Sequence, residues 1–76
     1  MARLSYQRTE IVIGTSGQTS ALNLTNEYRP RNNIPHGITE NVRVTLIAAS
    51  GNLQFDNYSN SNKTVTLSHQ WDYSYA

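Results

Sequence analysis

Ser68, His69 and Asp72 are the side-chain types of a hydrolase triad, and they fall together in SHQWD, residues 68–72. A nucleophile must sit within hydrogen-bond reach of its base. In an extended strand, however, Ser68 and Asp72 share one face and His69 takes the other. The spacing supplies the letters of a triad without its geometry, and no catalysis is expected from it.

Other chemistry-bearing stretches are weaker still. DNYSNSNK, residues 56–63, sets Asp56, Tyr58, Asn60 and Asn62 at alternate positions, as a calcium loop would. Such a loop needs oxygen ligands at its first three alternate positions, then a glycine and a distant bidentate Glu. Tyr58 is the wrong type, and the glycine and the Glu are missing, so a flexible polar hairpin loop is expected instead. Asn-x-Ser/Thr triplets at Asn23, Asn57 and Asn62 follow from the abundance of these residues and carry no weight without a secretory leader. Gly14-Thr15-Ser16-Gly17 is too short for a P-loop and lacks its Lys. His36 and His69 lie far apart without the spaced carboxylates of a zinc site, and there is no cysteine, so neither a metal nor another cofactor is expected.

In Tyr28-Arg29-Pro30-Arg31, the proline keeps the chain extended and brings two guanidinium groups near one another. They suit a carboxylate or phosphate. Only 14% of residues are charged and the formal net charge is +1. A nucleic-acid domain carries a strong basic excess, so the arginines are expected to meet a partner protein.

The elements that must position these residues read as β-structure. Asn, Ser and Thr make up about a third of the chain, a composition suited to strands and hydrogen-bonding loops and poor for helix. Residues 4–14 form a first strand, in which the run Ile11-Val12-Ile13 suggests cover on both faces. A turn at residues 15–18 leads to a return strand over 19–25, with Leu22 and Leu24 on one face, making a hairpin. Residues 27–41 hold both prolines, Gly37 and three asparagines, and are expected to be irregular. Residues 40–49 make the firmest core strand, with Val42, Val44, Leu46 and Ala48 on one face. A turn at Ser50-Gly51-Asn52 leads to a strand carrying Leu53 and Phe55. The last strand covers residues 64–75, where Val65, Leu67, His69, Trp71, Tyr73 and Tyr75 alternate with polar residues. The expected fold is all-β: a single domain over residues 1–76, an antiparallel β-sandwich or open barrel of about five strands.

A chain of 76 residues builds a modest core and gains from a partner. The aromatic face of the last strand is the strongest candidate for one, because Tyr and Trp bring large contact area at small entropic cost. Expected partner contacts are Leu4, Tyr6, Tyr28, Arg29, Arg31, Trp71, Tyr73 and Tyr75. Three alternatives stand beside this. Trp71 and Tyr73 would complete the internal core, with their polar atoms finding local partners; Tyr58, Trp71, Tyr73 and Asn57 would line a sugar-binding face; or the chain would regulate a host enzyme, although it lacks the single-sign charge that steers such partners.

The reading is therefore a non-enzymatic structural protein of an assembly, with other protein subunits as partners, itself or a shell protein, and a glycan as the alternative ligand. Small size, no cysteine, near-neutral charge and Asn/Ser/Thr richness suit a small virion component, such as a bacteriophage capsid decoration or tail-associated protein. No motif ties the sequence to a family. The N-terminus has no signal-peptide pattern and no apolar run is long enough to span a membrane, so synthesis in the cytoplasm and a place on a virion or other extracellular particle are expected.

Overall fold

The computed structural model describes residues 2–20, 24 and 26–74. It is an all-β domain of two antiparallel sheets packed on one another. Six strands occur among the described residues: β1 (Ala2–Ile13), β2 (Gln18–Ser20), β3 (Ile34–Thr39), β4 (Val42–Leu46), β5 (Leu53–Asn57) and β6 (Lys63–Tyr73), with a 3-10 turn at Asn26–Tyr28. The first and last strands pair into a long two-stranded ribbon, β1-β6. The other four form a second sheet in the order β2-β5-β4-β3.

The pairing of β1 differs from the expected hairpin. Its partner is β6, at the far end of the sequence, while β2 pairs with β5. The greater apolar length of β6 explains the choice: Val65, Leu67, Trp71 and Tyr73 all face the core, and β1 sets Ile11, Leu4 and Ala2 opposite Val65, Trp71 and Tyr73. Leu22 of the expected return strand lies outside the described residues.

A bulge reconciles the two halves of β1. Ala2, Leu4 and Tyr6 are even-numbered and face the core side. Ile11 and Ile13 are odd-numbered and are also buried. The register shifts between Arg8 and Ile11, and Glu10 takes the left-handed conformation at φ 53°. An extra residue in one strand flips the alternation, so both halves serve one face. Val12 is left 54% exposed, which replaces the expected two-sided cover of Ile11-Val12-Ile13 with cover on one side.

The stretch expected to be irregular contains β3. Its inner face carries Ile34, His36 and Ile38, all half-buried, and it pairs with β4. Pro35 is accommodated because β3 is an edge strand, where a missing N–H costs no ladder bond. The hairpin of β4 and β5 forms as expected, with Val42, Val44, Leu46, Leu53 and Phe55 buried. Ala48 belongs to the turn that follows β4. Gly51 closes that turn at φ 70°; a Cβ there would lie 2.7 Å from the carbonyl oxygen of Leu24, so both the backbone and the close approach require glycine.

Candidate functional site

The last strand spends its aromatic face internally. Trp71 is 2% exposed and Tyr73 is 8% exposed. The Tyr73 hydroxyl donates to the carbonyl oxygen of Tyr28 at 2.7 Å, which ties the end of β6 to the 3-10 turn. The indole N–H of Trp71 is buried without a hydrogen-bond partner. These two side chains complete the core of their own domain and present almost no surface to a neighbour, which corrects the expected intermolecular aromatic ladder. Tyr75 lies outside the described residues.

The remaining expected contacts divide. Leu4 and Tyr6 are half-buried and pack on the core from β1. Tyr28 is 49% exposed. Arg29 is turned inward: its Nε donates to the Leu24 carbonyl at 2.9 Å and its Nη1 to the Ala49 carbonyl at 3.0 Å. It clamps two loops of its own chain, where the sequence predicts a contact with a partner. Arg31 is exposed.

The triad letters separate as the strand alternation requires. Ser68 and Asp72 are exposed on the outer face of β6, while His69 faces inward. Asp72 is engaged by Arg3 across the ribbon at 3.0 Å. That hydrogen bond from Arg3 holds its carboxyl below the ordinary range.

DNYSNSNK is an ordered loop built on Asn57. Its Nδ2 donates to the carbonyls of Ile13 at 3.0 Å and Ser61 at 2.9 Å. Its Oδ1 accepts from the Ser59 backbone N–H at 2.9 Å and the Ser59 hydroxyl at 2.6 Å. Asp56, the first residue of that stretch, meets Arg43 at 3.7 Å and accepts from Gln54. With Asn57, Trp71 and Tyr73 buried, the expected sugar-binding face does not form. Of that set only Tyr58 is exposed, its ring 5.4 Å from the Arg43 guanidinium carbon.

Two further features stand out. The first is a pair of stacked histidines, His36 of β3 and His69 of β6, with ring centroids 3.6 Å apart and planes within 10°. The second is the long unshared edge of the ribbon. β1 has 12 residues and β6 has 11, and among the described residues each is hydrogen-bonded to the other strand alone. Only the length and polarity of these strands hinted at it.

No protein-family model, curated protein or solved structure matches this chain.

Proposed function

We propose that this chain is a non-enzymatic structural protein that builds or stabilises a multi-subunit assembly, and that it does so by adding a strand of a neighbouring copy to the free edge of β1. The supporting observation is an imbalance in how the sheet edges are protected. Exposed edges are templates for pairing, and proteins blunt them by shortness, proline or inward charge. In the four-stranded sheet the described part of β2 has 3 residues and β3 carries Pro35. The ribbon is long and carries no proline, and its bulge and the β1 charges Arg3, Arg8 and Glu10 lie outside the segment from Leu4 to Gln7. From Leu4 to Gln7, β1 contains no charge, proline or glycine. Beside it, β6 lies toward β3 through the histidine stack, which leaves the middle of β1 as the open side.

A twofold axis across β1 would join two ribbons into one continuous antiparallel sheet, with the same patch used by both copies. The outer-face residues Ser5 and Gln7 are small or flexible and uncharged, so copies can approach without like-charge conflict. The chemical character of the chain suits a repeated particle component, of the kind that decorates a bacteriophage capsid or belongs to its tail. Each contact needs only modest strength where many act together.

The test is solution mass by light scattering over a concentration series, for the native chain and for Ser5→Lys/Gln7→Lys. The native chain should show a dimer or larger species that grows with concentration. The double variant should stay monomeric with its Tm unchanged, because twofold pairing sets its new lysines close together. A native chain that is monomeric throughout, or a variant that associates equally well, refutes strand addition between copies.

A further inference from the structure

His36 and His69 sit on different sheets, and their stacked rings span the seam between β3 and β6. His69 also meets Trp71 edge to face, with centroids 4.5 Å apart at 90°. Trp71 is one of the largest buried side chains in the core, so the stack stands directly beside the main hydrophobic packing.

Among the described residues of the strands packed around it, the pair meets no counter-charge. From β1, Tyr6 stands opposite His69, and Arg8, one step along the same side and opposite Leu67, reaches solvent. From β4, Val44 stands opposite His36. Within their own strands the neighbours on the inner face are Ile34 and Ile38, and Leu67 and Trp71. Of the carboxylates on nearby strands, Asp72 lies on the outer face of the ribbon with Arg3, Asp56 pairs with Arg43, and Glu10 is exposed at the β1 bulge. Among the described residues of these strands, the charged side chains sharing this side, Arg8 and Lys63, are both cations.

We propose that the His36–His69 stack is an acid-sensitive latch between the two sheets. Neutral rings lie face to face and hold β3 against β6. Protons on both place two like charges at stacking distance in a half-buried site with an arginine nearby and no carboxylate to neutralise them. The seam then opens, and β3 with its hairpin partner separates from the ribbon.

The direction follows from proton linkage. Burial, then the neighbouring His69, lower the affinity of folded His36 for protons below its ordinary value of 6.5. The opened chain binds protons more readily, so the closed form is fully favoured above about pH 6.5 and weakens as pH falls below it. For each extra proton bound on opening, the closed-to-open ratio falls up to about tenfold per pH unit.

Trp71 is the chain's single tryptophan and reports the seam directly. The experiment follows its emission maximum and its quenching by acrylamide from pH 8 to pH 4.5, at a fixed urea concentration just below the unfolding midpoint. The native chain is compared with His36→Gln and His69→Gln. In the native chain the emission should shift to the red and quenching should rise as pH drops through 6.5 to 5. Both variants should be flat over that window and respond only where carboxylates titrate. A native chain without the transition, or variants that keep it at the same midpoint, overturns the latch. A second measurement on the native chain covers the case in which the variants do not fold. NMR titration of the two imidazole C–H resonances should show coupled curves, with His36 titrating below 6.5; independent single-step curves overturn the proposal.

Discussion

Asn57→Ala tests the claim that DNYSNSNK is an ordered structural loop. Asn57 is 8% exposed and makes four hydrogen bonds, two given to the carbonyls of Ile13 and Ser61 and two received from Ser59. The bond to Ile13 is buried and joins the end of β5 to the end of β1; those in the loop are partly exposed, and water replaces them in part. A buried acceptor left without its donor costs about 1–3 kcal/mol, and ordinary hydrogen bonds add about 0.5–1.5 kcal/mol each. Allowing for rehydration of the loop, Asn57→Ala should cost about 2–4 kcal/mol. Against a domain of this size, worth roughly 4–11 kcal/mol, this is a large loss. With a urea slope near 1 kcal/mol/M, typical of small domains, the midpoint should fall by roughly 2–4 M. Asn57→Asp is the sharper variant. It keeps the shape but turns the donor into a carboxylate facing two carbonyls. It should be worse than Asn57→Ala at pH 7. Its new carboxyl would bind protons more tightly folded than unfolded, so its deficit should shrink as pH falls toward about 4, the ordinary Asp range. An Ala variant within about 0.5 kcal/mol of the native chain, below the usual effect of one hydrogen bond, would refute the hub. So would an Asp variant as stable as the native chain at pH 7.

Two further outcomes are expected. Arg29→Ala removes both carbonyl clamps and should lower stability by about 1–3 kcal/mol, measured by urea unfolding; a stability unchanged from the native chain would return Arg29 to the partner surface. At the bulge, Glu10→Val should lower Tm by roughly 5–10 °C, because a β-branched residue strains at a left-handed position, whereas Glu10→Gly should leave it level or slightly higher. Strand propensity alone predicts the reverse order, with Val better than Gly, so equal or reversed Tm values would remove the bulge from the account.

Much of the fold was legible because period-2 patterns survive intact in β4, β5 and β6. Val42, Val44, Leu46, Leu53, Phe55, Val65, Leu67 and Trp71 are all buried on the side their spacing assigns. Pairing was less legible. Local turn chemistry at residues 15–18 suggests that β1 returns on β2, and a turn does form one residue earlier, with Gly17 N–H donating to the Gly14 carbonyl. Yet β1, at 12 residues, is matched in length by the 11-residue β6, and that pairing wins the contest. β3 was hidden for a related reason: Pro35 and Gly37 argue against a strand only where both edges need hydrogen bonds, and an edge position lifts that objection. The parity change in β1 had no signal either, since Glu10 is an ordinary strand-surface residue until its backbone turns left-handed.

The candidate site was legible in its residues and not in their sides. An aromatic alternation shows that a face needs cover, but not whether the cover comes from the same chain. Here the four-stranded sheet supplies it, through Val42, Val44, Leu46, Leu53 and Phe55. Once that face is satisfied, what remains unsatisfied on the ribbon is its backbone edge. Side-chain faces bury apolar area and are largely indifferent to the direction of approach. Backbone edges demand register and direction. A protein that must repeat identically in an assembly gains more from the second kind of contact, because a one-residue slip in register would turn every side chain to the wrong face. The bulge at Glu10 then has a second consequence. It interrupts the regular run of backbone groups along β1, and confines the longest unbroken stretch available to a neighbour to the segment from Ala2 to Arg8. In the strand addition proposed above, a neighbouring strand would thereby be limited to one stretch of the edge, with its register bounded by the bulge at one end and by the Arg3–Asp72 pair near the other.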